Sequence, residues 1–184
     1  MLQPFIQVLN WESSNSIREE LPFRVRYYRW YDLHKVMKLF YDTVHHVCVE
    51  DYSEEQLRVW APEELDRKSW EKSLRANICF VAEYKKQIIG FGDLKPGAGE
   101  INRLYTHKDF QGRGVARAIL ARLEKTARKY KQKSLRVESS LTGKDFYQSQ
   151  GFICKDILTG YLNDQAFFNY LMEKELEVEI PENT

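Results

Sequence analysis

The chain is predicted to fold as an α/β (α+β) protein, a mixed, mostly antiparallel central sheet of about six to seven strands flanked by helices. Three observations predict it. Leu33, Val36, Met37, Phe40, Val44 and Val47 recur at three- and four-residue spacing, the signature of one helix face. Residues 78–107 hold three short β-favouring runs parted by turn residues, which reads as a meander. Then Gln111-Gly112-Arg113-Gly114-Val115-Ala116 joins the last of these runs to a long amphipathic helix.

The elements follow in order. Residues 1–22, mixed in pattern and closing on Pro22, are expected to be an N-terminal extension, and Phe23 to Trp30 a short strand. After the first helix, Ser53 with Gln56 three residues on forms a capping box for a second, short helix that stops before Pro62. Pro62 suits the first turn of a third helix reaching about Arg75. Ile78–Tyr84 and Gln87–Leu94, parted by Lys85-Lys86, read as a hairpin. Pro96, Gly97 and Gly99 turn the chain into a strand from Glu100 to His107. From Val115, the positions Ile119, Leu120, Leu123, Ala127 and Tyr130 make an apolar stripe, with Arg117, Arg122, Lys125, Arg128 and Lys129 on the solvated face. Lys133–Glu138 is the next strand. Thr142 with Asp145 caps a short helix ending at Gly151, and Phe152–Leu158 and Phe167–Met172 are the last two strands. The folded domain is expected over 23–176, with 177–184 as a tail.

Composition narrows the function. At 184 residues, with 43% hydrophobic and 14% aromatic content, the chain can bury the core of one domain. Lys and Arg total 28 against 27 acidic residues, so no basic excess points to nucleic acid. No apolar run approaches the roughly 20 residues that span a bilayer, and no basic-then-apolar leader opens the chain. Cys48, Cys79 and Cys154 are odd in number and far apart, without metal-ligand spacing. A soluble cytoplasmic protein with reduced thiols, no metal, no membrane partner and no nucleic-acid partner is expected.

The glycine loop is a candidate phosphate cradle, because a helix N-terminus presents unpaired N–H groups and the positive end of a dipole. A P-loop requires Gly-Lys-Ser/Thr at fixed spacing, which is absent. A dinucleotide fingerprint requires a third Gly where Arg117 stands, although Glu138 lies where its ribose-binding acid would fall. That fold also expects the loop after the first strand of a parallel sheet, whereas antiparallel hairpins come first here.

The segment Leu104 to Ala116 resembles the acyl-CoA-binding motif of the GNAT superfamily of N-acetyltransferases. Gln111, Gly114 and Ala116 match its Gln/Arg-x-x-Gly-x-Gly/Ala core, and Phe146-Tyr147 three residues before Gly151-Phe152 is similar to its second signature. Lys108 stands where the family often has Pro, and Thr106 where Val is common. The resemblance, covering about Phe23 to Leu176, implies the family's fold, with the cofactor entering where the fourth and fifth strands diverge. It implies acetyl-CoA as co-substrate and a small-molecule or peptide amine as acceptor. Gln111, Gly112, Arg113, Gly114, Val115, Ala116 and Arg117 would hold the pyrophosphate. Backbone of Leu104, Tyr105 and Thr106 would pair with the pantetheine arm as an added strand does, one amide also facing the oxyanion.

Tyr147 would meet the departing sulfur. A phenol near 10 giving its proton to a thiolate near 8.5 is uphill by roughly 2 kcal/mol, which favours a strengthening hydrogen bond over full transfer. An alkylammonium acceptor near 10.4 must also lose a proton. Glu100, at the start of the fourth strand, lies where the resemblance places a carboxylate base. His45, beside Tyr41 at the edge of the first helix's stripe, and Glu138 are the other candidates. The expected reaction is direct attack of an amine on acetyl-CoA in a ternary complex. The alternatives are a catalytically silent CoA- or nucleotide-binding module and a dinucleotide-dependent oxidoreductase.

Overall fold

The computed structural model describes residues 21–177, so the expected extension 1–22 and tail 177–184 lie almost entirely outside the described residues. The first strand, β1 (Arg24–Tyr27), is shorter than expected. The buried Asp32 ends it: its carboxylate accepts the Arg29 N–H at 2.9 Å and binds the Arg26 guanidinium through both oxygens at 2.7 and 2.9 Å. The chain thus turns through a 3-10 segment, Trp30–Asp32, into α1 (Leu33–Val47). Helix α2 (Glu54–Trp60) carries the anticipated capping box, with Ser53 and Gln56 exchanging side-chain bonds to backbone at 3.2 and 2.9 Å. Helix α3 (Arg67–Ala76) corrects the assignment of Pro62 to its first turn. The Asp66 carboxylate accepts the N–H groups of Lys68 and Ser69, and Pro62 offers no such acceptor.

The meander is β2 (Ile78–Tyr84), β3 (Gln87–Lys95) and β4 (Glu100–Thr106). Lys85 and Lys86 both have positive φ, the turn a two-residue hairpin demands. A 3-10 turn (Lys108–Phe110) leads to α4 (Val115–Lys129), then β5 (Ser134–Ser139) and α5 (Lys144–Ser149). Tyr130 falls at the C-cap of α4 and is half exposed rather than part of the buried stripe. Thr142 does not cap α5: its hydroxyl bonds Asp51, while the Ser140 hydroxyl accepts the Gly143 N–H at 3.2 Å. The final hairpin, β6 (Ile153–Leu162) and β7 (Gln165–Glu175), is longer than expected. Asn163 and Asp164 adopt positive φ and supply its tight turn, so polar Thr159 and Gly160 belong to strand rather than loop.

The seven strands form one sheet in the order β1-β2-β3-β4-β5-β7-β6. All neighbours are antiparallel except β4 and β5, which pair in parallel only at Glu100 with Arg136 and Ile101 with Val137. Beyond those two residues they part. One apolar layer packs Val115, Ile119, Leu120 and Leu123 of α4 on Phe80, Ile89, Leu135 and Met172. The other packs Val36, Phe40 and Val44 of α1, with Leu57 and Leu74, on Val81, Ile88 and Phe91. Alternation along β2 sends Phe80 and Ala82 to one layer and Cys79 and Val81 to the other. Each such side chain contributes about 1.5–3 kcal/mol on full burial.

Glycine sets how close α4 comes. A Cβ on Gly90 would lie 2.6 Å from Val115 Cγ1, and one on Gly92 would lie 2.9 Å from Ile119 Cγ2. The first turn of α4 therefore rests on bare backbone of β3, at the mouth of the gap between β4 and β5. Among the described residues no helix is long and apolar enough to cross a membrane.

Candidate active site

The parting of β4 from β5 opens a cleft of about 840 Å³. The His107 N–H donates to the Ile89 carbonyl at 2.9 Å. Bonding sides alternate along an antiparallel strand, so Leu104 and Thr106 turn their backbone groups away from β3 and toward the cleft. The Thr106 carbonyl is already engaged, accepting the Thr43 hydroxyl at 3.0 Å and the Gln111 side-chain amide at 2.6 Å. Gln111 thereby ties the glycine loop back to the end of β4. Thr106 Oγ1 is buried and without a hydrogen-bond partner among the described residues. Tyr105 packs flat on Phe91, ring centroids 5.6 Å apart, with Phe40 edge-on at 5.0 Å. Burial pushes its phenol well above the ordinary range.

Gly112 and Gly114 have φ of +68° and +77°, a conformation costly for any residue with a Cβ. The first helical bond of α4 runs from the Ala118 N–H to the Gly114 carbonyl at 3.0 Å. The N–H groups of Val115, Ala116 and Arg117 therefore have no acceptor within the helix. These three residues line the cleft with Gln111, Gly112 and Gly114. Arg113 lies outside the lining, its guanidinium 5.8 Å from the Phe110 ring centre.

Across the gap, Tyr147 lines the cleft from α5. Its ring meets Phe146 and Phe152 edge-on at 5.3 and 5.2 Å, and burial alone pushes its phenol up, so it stays protonated. Glu100 and Glu138 both line the cleft. Glu100 is ion-paired with Lys95 and lies 3.9 Å from Arg136, whereas Glu138 carries no ion pair among the described residues. His45 does not line the cleft. Its ring lies 4.3 Å from that of Tyr41, and its Nε2 is 2.8 Å from the Ala61 carbonyl. Among the described residues no three His, Cys, Asp or Glu side chains converge as metal ligands.

Two parts of the site escaped the sequence reading. The buried Asp93 binds Arg103 at 2.9 and 3.0 Å, Asn77 at 2.5 Å and Asn102 at 3.1 Å. Arg103 also donates to the Ser73 hydroxyl and stacks 4.7 Å from the Trp70 ring centre, fixing the cleft wall. An acid inside the apolar run Ile88–Leu94 was the available signal. The second part is a cluster of Tyr52, Trp60 and Phe167, which lies too far apart in sequence to show any spacing.

A mixed sheet that splays between its fourth and fifth strands, with a glycine loop and helix N-terminus at the split, is the architecture of the GNAT superfamily. Residues 48–174 match the acetyltransferase (GNAT) domain family, and the chain belongs to that family. It is 28% identical over 129 residues to the uncharacterized N-acetyltransferase YafP of Escherichia coli, spanning 70% of this chain and 80% of that one. A GCN5-related N-acetyltransferase from Rhodopseudomonas palustris superposes with a TM-score of 0.80 at 29% identity, over 83% of this chain and 95% of that one. PaiA N-acetyltransferase from Thermoplasma acidophilum, solved in complex with coenzyme A, shares the fold with a TM-score of 0.70 at 21% identity, over 83% and 98%. YncA from Salmonella typhimurium, solved with acetyl-CoA, shares it with a TM-score of 0.66 at 15% identity, over 88% and 98%. The protein is an acetyltransferase of this fold.

Proposed function

We propose that the protein is an N-acetyltransferase that moves the acetyl group of acetyl-CoA to a primary amine by direct attack in a ternary complex. The observation that carries this reading is the gap between β4 and β5, which leads directly to the glycine loop and the free N–H groups of α4. The residues present fit the cofactor. Positive-φ glycines let backbone approach a pyrophosphate, and Val115 to Arg117 offer N–H groups at the positive end of a helix. The backbone of Leu104 and Thr106 suits the amides of a pantetheine arm. Thr106 Oγ1 is a buried donor in want of an acceptor. PaiA and YncA, which share this fold, were solved with coenzyme A and acetyl-CoA respectively.

In this reading an amide N–H of β4 stabilises the charge that grows on the acetyl oxygen during attack. The C–N bond forms as the C–S bond breaks, the neutral amine gives up one proton, and the sulfur leaves as a thiolate that takes a proton from solvent. Tyr147 donates a hydrogen bond to the departing thiolate. Glu138, on the cleft and without an ion pair among the described residues, accepts the amine proton through water, while Glu100 orders Lys95 and Arg136. His45, bonded to a backbone carbonyl, holds α1 against the segment after α2. The catalytic unit spans residues 23–176 and works in the cytoplasm.

Incubation with acetyl-CoA and a panel of primary amines, read by thiol release, tests this. Amine-dependent release is the expected result. Tight binding of coenzyme A without release on any amine would instead identify a silent CoA-binding module.

A further inference from the structure

The cleft extends past the glycine loop to a wall that the proposed cofactor site does not use. Tyr52, Trp60 and Phe167 meet there, with ring centroids 5.1, 5.9 and 6.3 Å apart, and all three line the cavity. They come from the α1–α2 connection, the end of α2 and the start of β7, and each ring braces the other two. The wall is also tied down at its edges. The Tyr52 hydroxyl accepts the Leu141 N–H at 2.9 Å, and the Gln56 amide donates to the Ala166 carbonyl at 2.7 Å, beside Phe167. Burial pushes the Tyr52 phenol up, so this ring remains neutral. The residues that the α1–α2 segment and the β6–β7 hairpin contribute to the described lining carry no charge. The guanidinium of Arg103, farther along the lining, is already paired with Asp93.

We propose that this wall receives the body of the acceptor, and that the acceptor is a primary amine carried on a flat aromatic or apolar ring. The proposal rests on the acetyltransferase reading above. A ring laid against three preorganised rings gains apolar burial and edge or offset contacts. A sugar, polyamine or amino acid laid flat on these three rings would turn hydroxyls, charges or a carboxylate toward apolar faces, away from the polar groups elsewhere in the lining such as Asn169 and Glu138. The part of the acceptor that meets this wall is therefore an uncharged, apolar ring.

Calorimetric titration of the protein saturated with coenzyme A compares 2-phenylethylamine with ethanolamine, primary amines on the same two-carbon spacer that end in a ring and in a hydroxyl. The ring amine is expected to bind at least about tenfold more tightly. Trp60→Ala and Phe167→Leu should each shrink that difference about threefold or more while coenzyme A affinity stays unchanged. Equal binding of the two amines, or a preference that both folded variants retain, overturns the proposal. Thiol release separates the two readings. Ring-amine binding without any acetyl transfer sinks the enzyme reading and leaves the binding wall standing. Transfer to ethanolamine with no ring-amine binding does the reverse.

Discussion

Tyr147 and Glu138 owe their proposed roles to opposite surroundings. Tyr147 is buried between two phenylalanine rings, and burial keeps its proton in place. It can therefore donate to a thiolate without first competing for a proton. A hydrogen bond to a charged partner contributes about 1.5–3 kcal/mol, so Tyr147→Phe should lower kcat about 10- to 100-fold and leave the KM for acetyl-CoA unchanged. Steady-state kinetics decides it, since unchanged kcat removes the role. Glu138 is exposed and carries no ion pair among the described residues, and a base of this kind contributes about 100-fold or more. Glu138→Gln should reduce kcat/KM by that order, and Glu100→Gln by much less. The reverse ranking in the same assay would return the base to Glu100. The glycines of the loop and the Phe-Tyr pair were legible because each has a local reason, positive φ or motif spacing. Asp93 and Arg103 were not, since their partnership depends on the register of β3 with β4.

At the scale of elements, the docking of α4 on β3 links packing to binding. The stripe from Val115 to Ala127 was readable because helical period is local. That its first turn would rest on Gly90 was not, because that contact joins residues 25 apart in sequence. Gly90→Ala places a methyl 2.6 Å from Val115 Cγ1 and 3.2 Å from the Tyr105 carbonyl. Overpacking of this kind costs about 1–3 kcal/mol. Urea denaturation should show that loss, with a raised KM for acetyl-CoA as α4 shifts. Adding Val115→Ala should recover part of the stability, and failure to do so would place the strain at Ile119 Cδ1, 3.0 Å away, or at the Tyr105 carbonyl instead. The β3–β4 pair carries a second liability. Asp93→Ala leaves the Arg103 guanidinium, only 12% exposed, without its counter-ion, and should destabilise the protein by about 3–5 kcal/mol. The β6–β7 hairpin shows the limit of local patterns in another way. Thr159 and Gly160 fall outside the expected strand, yet pairing with Phe168 and Phe167 of β7 carries β6 on to Leu162, and only Asn163 and Asp164 are left as the turn.

Across the whole molecule, the two apolar layers leave an electrostatic signature at high pH. Tyr105 and Tyr147 are held protonated by burial, and Tyr28 is pushed up to about 12 for the same reason. Below pH 10 these phenols are protonated in the folded and unfolded chains alike, so their contribution to stability is fully present. Above pH 10 the unfolded chain releases phenolic protons that the folded chain retains, and stability falls toward each folded value. Tyr105 and Tyr147 should each remove about 1.4 kcal/mol per pH unit in that window, with Tyr28 adding less because solvent screens it. Lysines titrate over the same range, so the variant isolates the effect. Tyr147→Phe should flatten the decline between pH 10 and 11 by about 1 kcal/mol relative to the parent chain, because the unfolded phenol is only half ionised at pH 10. Absorbance of tyrosinate supplies the cross-check, because these buried phenols among the 11 tyrosines should ionise only as the fold opens. Identical slopes for parent and variant, or titration of all 11 phenols before unfolding, would mean that solvent reaches Tyr147 in the folded cleft. That outcome would also undo the case for its protonated role beside the departing sulfur.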